Sequence, residues 1–339
     1  MAMVTQKEIA KYAKVSAGTV SNVISGSKPV REDSRKRVLD AIHALNYQPN
    51  LIARSLKTNR TNTLGMIVPD ITVPFYAKII RRVELTARKR GYFLIVVDSQ
   101  HSHELEIELL SLLRQRTDGI LLVTAGDYEW SAADIKQTSA GQPVVCLDRR
   151  PEGFEADAVC VDDIGAAEMG VTHLLNQGHT IIAIITGPLR LRNEQERIQG
   201  YKKALRKAKI SLQKNLIWSA EFDDEDIAAA CRKGMRQAAI KPTAIFSTNG
   251  VTALGALGAF HNMGLATPRD FAFVAIDEVM TMPNFSPTIT SVVQPTEDIG
   301  RRATELLISQ ITQPVRHSGQ TILRLPAAII VGESSRGYV

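Results

Sequence analysis

Cysteine is scarce in this 339-residue chain: Cys146, Cys160 and Cys231 stand far apart, with no CxxC and no histidine at ligand spacing. So few, scattered thiols argue against a disulfide framework or a structural metal and fit a reducing cytoplasm. Aromatic residues are only 5% of the chain, so a core must be built mainly from Ile, Leu, Val and Ala. No stretch approaches the roughly eighteen uninterrupted apolar residues of a membrane span. The first residues, MAMVTQKEIAKYAKVS, show no apolar core followed by a cleavage site, so no secretion signal is expected. GxSxG, HExxH, the P-loop and a GxGxxG at a strand-to-helix turn are all missing, and neither a catalytic residue nor a cofactor is expected. His101 and His103 are two apart and would diverge on a helix, a poor metal pair. The acidic run Asp223-Asp224-Glu225-Asp226 reads as a helix start, where the dipole favours anions.

What the chain does have is a localised charge. Its net charge is +6, yet residues 1–60 alone carry eleven Lys and Arg against four acids, or +7, leaving about −1 for the rest. A basic module on a near-neutral body is the footprint of a polyanion binder.

That module reads as short helices. Thr5 to Glu8 has the form of a capping box, with Ile9, Ala10 and Ala13 at helical spacing behind it. After a turn at Lys14-Val15, Ser16 caps a second helix carrying Thr19, Val20, Val23 and Ile24, which Gly26 to Pro29 breaks. A third helix, from Glu32 to Leu45, is expected to turn Val38, Leu39, Ile42 and Leu45 inward. Two helices joined by a very short turn, with a third closing the core, make a helix-turn-helix. Residues 50–57 hold one or two further turns too short to be stable alone in water, so they pack on something or form on binding. The polar linker 58–62 follows.

From Thr63 the texture changes to apolar strands alternating with amphipathic helices, the pattern of parallel sheets covered on both faces. The expected strands are 64–68, 93–97, 119–123, 144–147, 181–185, 244–246 and 271–276, and 277 residues of this exceed one open sheet. The fold class is therefore α/β. An all-α headpiece (1–49) and hinge segment (50–62) precede a two-lobed domain (63–339), and ligands are expected at the carboxyl ends of its strands.

The segment Glu8-Ile9-Ala10, Val15-Ser16, Thr19-Val20-Ser21 and Gly26, then Val38, Leu45, Tyr47, Pro49-Asn50, Ala53-Arg54 and Leu56, resembles the lactose-repressor (LacI/GalR) family. Pro69-Asp70, Asn176 to His179, Gly187-Pro188, Gly255-Ala256-Leu257 and Asp277 extend that resemblance toward residue 335. It implies a cytoplasmic, nucleoid-associated repressor binding a pseudo-palindromic operator as a homodimer, with no membrane partner. The second helix would enter the major groove, Ala17, Gly18 and Asn22 facing bases and Thr5, Ser16, Thr19 and Ser21 nearer phosphates. Asn22 suits adenine or phosphate where relatives often carry Arg, and Gly18 serves either close approach or tight packing. After Pro49 the segment resembles the family's hinge helix, with Asn50, Ala53, Arg54 and Lys57 on DNA. Leu56 is either a minor-groove wedge or a member of an ordinary core face with Leu51 and Ile52. The C-terminal residues 332–339 carry no leucine heptads, so a tetramerising tail is not expected.

The second domain is similar to sugar-binding periplasmic proteins of the ribose type. That resemblance implies lobes near 63–161 with 293–323 and near 162–292 with 324–339. It implies a ligand site of Val73, Phe75, Tyr76, Asp148, Arg149, Arg197, Phe222, Asn249, Asp277 and Gln294. Asp accepts, Arg donates, and Asn and Gln do both, which suits hydroxyls, while aromatic faces cover a sugar ring. The alternative to this reading is that Asp148-Arg149 and Arg197 are structural ion pairs. Val73 departs from the Asn of the ribose pattern, so ribose, another pentose, a hexose, a sugar phosphate and a nucleoside all stay open.

Overall fold

Thr5 starts the first helix as a reciprocal cap: its Oγ1 accepts the Glu8 amide, and the Glu8 carboxylate accepts the Thr5 amide at 2.7 Å. The computed structural model describes residues 4–25, 28–47, 60–126, 130, 141–150, 153–238, 240–277, 286–313 and 320–335. Its contacts divide the chain into two units, 1–61 and 62–339.

The first unit holds α1 (Gln6–Ala13), α2 (Ala17–Ser25) and α3 (Glu32–Ala44). Lys14 closes α1 in the left-handed conformation, which lets α2 begin three residues later. Ile9, Ala10, Ala13, Val20, Val38, Ala41 and Tyr47 form the core. One expectation fails: Leu39 is 43% exposed and Ala41 is buried in its place. Position 39 lies about 100° round the helix from 38, whereas 41, 42 and 45 share its side. The hinge residues Asn50, Ala53, Arg54, Leu56 and Lys57 lie outside the described residues.

The second unit is built on two six-stranded sheets. The first contains β1 (Thr63–Val68), β2 (Phe93–Asp98), β3 (Gly119–Leu122), β4 (Val144–Leu147), β5 (Asp157–Val161) and β11 (Ile322–Leu325), all parallel, in the order β11-β5-β4-β3-β1-β2. The second contains β6 (Ile182–Thr186), β7 (Ile217–Ser219), β8 (Ala244–Ser247), β9 (Ala272–Ile276), β10 (Thr290–Val293) and β12 (Ala328–Ile330), ordered β12-β10-β9-β8-β6-β7. Only β12 runs antiparallel in it.

Helices α4 (Pro74–Lys89), α5 (His103–Arg114) and α10 (Thr296–Thr312) pack on the first sheet. Helices α6 (Asp163–Asn176), α7 (Arg192–Lys207), α8 (Asp224–Gln237) and α9 (Gly250–Asn262) belong with the second. Asp223 caps α8 by accepting the Glu225 and Asp226 amides, so the acidic run is indeed a helix start. The central strands β3, β4, β6, β8 and β9 are buried at every residue, as sheets covered on both faces require, while the edge strands β2 and β12 have no buried residue.

The chain passes between the sheets after β5, after β10 and after β11. The last two passages fall one or two residues later than the sequence reading puts them. Val293 still pairs with Ala328 in the second sheet, and Arg324 and Leu325 still pair with Cys160 and Val161 in the first. Apolar strand texture does not change where a chain leaves one sheet for another, so the pattern could not fix these points.

Candidate functional site: a polar cleft and an exposed helix start

Each strand bordering the cleft hands on a residue at its carboxyl end. Asp148 and Arg149 follow β4, Phe222 follows β7, Asn249 follows β8, Asp277 follows β9 and Gln294 follows β10. Val73 to Tyr76 open α4, and Asn193, Glu194 and Arg197 lie in the first two turns of α7. Arg197 thus stands in the second turn of α7, five residues after its start. The structure brings all ten expected ligand residues to one cavity of about 150 Å³, together with Asp70, His101, Asn193, Glu194, Gly250 and Val251.

Three residues at this cavity hold the left-handed backbone that non-glycine residues rarely adopt: His101 (φ 57°), Asp148 (φ 59°) and Asp277 (φ 79°). Such conformations concentrate where side-chain aim matters more than local comfort. Asp277 is fixed further by accepting from the Gly250 amide at 3.0 Å and from Gln294 Nε2 at 2.5 Å.

The two arginines do different things. Arg197 donates Nε to Asp163 at 2.7 Å, and Nη1 to Glu194 and to the Thr248 carbonyl, both at 3.0 Å. Burial works against its charge, but Asp163 and Glu194 more than offset that and hold it firmly protonated. Burial would also raise the Glu194 carboxyl. Arg197 and the donors Thr248, Thr186 and Asn249 outweigh burial and keep it below the usual carboxylate range. This is a completed structural network, so for Arg197 the ion-pair reading describes what these atoms do.

Arg149 is different. Its nearest carboxylate contact among the described residues is Asp148 at 3.8 Å, longer than a hydrogen bond, and its Nε and Nη1 are buried with no partner among those residues. Three buried acceptors on the same cavity share that condition: Asp148 Oδ1, Asn193 Oδ1 and Gln294 Oε1. Burying a polar group without a partner costs about 1–3 kcal/mol, so five such atoms around one cavity describe a surface shaped for a hydrogen-bonding guest. Tyr76 contributes a weak 3.5 Å bond to Asp148, and burial raises its phenol.

The apolar part of the cleft is aromatic. Phe222 lies under the Arg149 guanidinium, 5.8 Å from it to the ring centroid, and beside the His101 ring at 6.0 Å. Behind it Gly187 leaves the room the ring needs, since a Cβ there would come within 2.5 Å of Phe222. Phe75 and Tyr76 meet edge to face at 5.2 Å. Asn193, Glu194, Asp70 and His101 were missed as site residues; Asn193 and Glu194 are helix residues, and no strand end or aromatic neighbour marks them in the sequence.

In the first unit, Ser16 Oγ accepts the Thr19 amide at 3.1 Å and lies 2.9 Å from Thr19 Oγ1. Ser16, Ala17 and Gly18 are exposed, and Thr19, Ser21 and Asn22 are partly so. Among the described residues, a Cβ on Gly18 would meet only Ser16 Oγ, at an ordinary 3.7 Å, so none of them packs tightly against that glycine. Thr5 is committed to its cap. Lys7, Lys11, Lys14, Lys28, Arg31, Arg35, Lys36 and Arg37 are all exposed. No described helix is long and apolar enough to cross a membrane.

Comparison with known proteins accounts for both units. Residues 5–50 match the family described as bacterial regulatory proteins, lacI family, and residues 171–335 match the periplasmic binding protein-like domain. The transcriptional repressor PurR of Mannheimia succiniciproducens is 33% identical over 91% of this chain and 92% of its own length. The ribose operon repressor of Escherichia coli K12 is 32% identical over 92% and 94%. The solved complex of the transcriptional regulator CelR with cellobiose superposes with a TM-score of 0.72 at 31% identity, covering 98% of this chain and 99% of that one. The chain belongs to the lacI family of bacterial regulatory proteins and is a DNA-binding transcription regulator.

Proposed function

We propose that the chain is a cytoplasmic repressor that holds a pseudo-palindromic operator as a homodimer and is governed by a small neutral sugar, D-ribose or another pentose first. The observation that carries this reading is the set of five unpartnered buried polar atoms on Asp148, Arg149, Asn193 and Gln294. Two donors and three acceptors around a cavity of about 150 Å³ match a compact molecule whose groups both give and accept hydrogen bonds. Phe75 and Phe222 supply faces for a sugar ring.

A sugar phosphate fits less well. Its dianion would need both arginines, and Arg197 is already committed to two carboxylates. Asp148, Asp277, Glu194 and Asp70 add negative charge around the same cavity. The ribose operon repressor and the cellobiose-bound CelR are relatives whose names carry a sugar, which supports the class. The relatives are repressors and regulators, and no lining residue is cast as a nucleophile, so binding rather than turnover is the reading.

On the DNA side, the exposed start of α2 brings Ser16, Thr19 and Ser21 to phosphates and Ala17, Gly18 and Asn22 to base edges, with Leu56 as the wedge. Ligand closing the lobes would alter the spacing of the two hinge segments, so ligand and operator affinities are linked. Thermal shift and calorimetry with ribose, fructose, their phosphates and a purine nucleoside test the ligand class. Ribose should stabilise the protein by mass action; binding of phosphorylated sugars alone would contradict the neutral-sugar reading.

A further inference from the structure

A small polar cavity, of about 20 Å³, lies where β5 runs on into α6 and β11 nears its end. Arg150 and Arg324 line it from the first lobe, and Arg192 and Glu196 from the start of α7 in the second. Its rim is basic. Arg324 grips Glu196 with Nη1 at 2.8 Å and Nη2 at 3.1 Å, and Arg192 Nε adds a third bond to it at 3.1 Å. Two guanidinium groups thus meet one carboxylate. Arg150 donates Nη1 to the neutral side chain of Gln320 at 3.2 Å. The rim therefore sets three arginines against one carboxylate, an excess of two positive charges. Asp148 and Asp163, the carboxylates farther in, already face Arg149 at 3.8 Å and Arg197 at 2.7 Å. The first turn of α7, with no side-chain cap among the described residues, adds the positive end of its dipole. Side chains of Arg192 and Arg324 are 50% and 40% exposed, so a solute can reach them.

We infer that this rim is a phosphate site: one tetrahedral oxyanion, as the inorganic ion or a monoester, lies among Arg150, Arg192 and Arg324 and joins the two lobes where the chain crosses between them. Guanidinium forks match the paired oxygens of an oxyanion and form short, charge-assisted bonds with them. The cavity has room for the oxygens of one such group and none for a sugar ring. Like charges from both lobes converge here, and Glu196 neutralises only one of the three; an oxyanion supplies the rest. Asp148, Arg149 and Asn193 border both this cavity and the polar cleft and stand between them, so the anion and the cleft's ligand are separate guests. The site stands whether or not a sugar fills the cleft.

The test is titration of the full-length protein with inorganic phosphate, by calorimetry and thermal shift, beside chloride at matched ionic strength. Glycerol 3-phosphate, titrated in the same way, shows whether the site takes monoesters as well as the ion. Phosphate should bind with a dissociation constant of about 1 mM or tighter and raise Tm where chloride does not. Arg150→Met and Arg192→Met should each weaken phosphate binding about tenfold or more. Neither side chain lines the polar cleft, so both variants should keep ribose affinity within about threefold. The basic headpiece also attracts phosphate, and these two variants separate its share, since they leave it untouched. With ribose at saturation, phosphate should bind as tightly as before or more so. Phosphate affinity equal in wild type and both variants overturns the site, as does stabilisation no greater than that from chloride. Displacement of phosphate by ribose would put the anion in the polar cleft and overturn it too. A protein that binds no ribose would sink the sugar reading alone, because the two variants still decide the phosphate site.

Discussion

The guanidinium of Arg149, from the first lobe, lies over the ring of Phe222, from the second, 5.8 Å from its centroid. The contact spans the cleft, so the proposed ligand site depends on the two lobes' relative position. Phe222→Ala removes both the ring face for the ligand and a cation–π contact of roughly 0.5–2 kcal/mol. Ribose affinity measured by calorimetry should fall about tenfold or more, while Tm without ligand falls by only a few degrees. Unaltered ribose binding would show that the ring is packing alone.

Arg149 and Arg197 should separate cleanly when each is replaced by Met. Arg197→Met strands the buried Asp163 and Glu194 carboxylates, which costs about 3–5 kcal/mol and lowers Tm by several degrees. Arg149→Met breaks no hydrogen bond among the described residues and loses only the 3.8 Å contact with Asp148 and the Phe222 face, so Tm should fall less than in the Arg197 variant while ligand binding vanishes. Differential scanning calorimetry beside ribose titration reads both; a large Tm loss in the Arg149 variant would contradict the assignment.

Glu106 gives the first lobe a pH dependence. It is fully buried, accepts from Thr124 Oγ1 at 2.9 Å and from the Ala125 amide, and burial pushes its carboxyl up to about 7 against those bonds. The folded state then holds the proton more tightly than the unfolded one. Its stabilising share is complete below about 4.5 and is lost as pH rises through about 7. Stability should therefore decline between pH 5 and 8 by roughly 2–3 kcal/mol from this group. Glu106→Gln should flatten the decline in denaturant titrations at the two pH values, and an equal decline in the variant would show that other groups cause it.

How much of this was legible in the residues varies with the physics involved. Periodicity exposed the headpiece helices, because an apolar face every 3.6 residues has no other cause, and buried strands between amphipathic helices gave the two sheets. The short strands β5, β7, β10, β11 and β12 did not register, being three to five residues with no alternation of their own. Asp148, Asn249 and Asp277 were findable because expected strand ends mark them, whereas Phe222 and Gln294, which follow the unregistered β7 and β10, were marked only by the resemblance to ribose-type binding proteins. Asn193 and Glu194 were not, because a helix residue reveals its neighbour only once the helix is docked. The different fates of Arg149 and Arg197 could not be read either, since pairing depends on Asp163 and Thr248, far along the chain.

Gly18 offers a test on the DNA side that opposes stability to function. With open space for a Cβ and no positive φ required, Gly18→Ala should stabilise α2 by up to about 1 kcal/mol. If the glycine serves close approach to a base or phosphate, the same change should weaken operator binding about tenfold or more. Thermal denaturation together with gel shift on a selected duplex decides it; tighter or equal DNA binding would refute the contact.

The coupling itself is tested most directly by fluorescence anisotropy of a pseudo-palindromic duplex that the full-length protein selects from a random pool, at fixed salt, with and without D-ribose. Coupling of about 1–3 kcal/mol predicts an operator affinity changed at least fivefold by ribose, and ribose affinity changed by the same factor in the presence of the duplex. An operator affinity indifferent to saturating ribose, in a protein that binds ribose, would contradict the account.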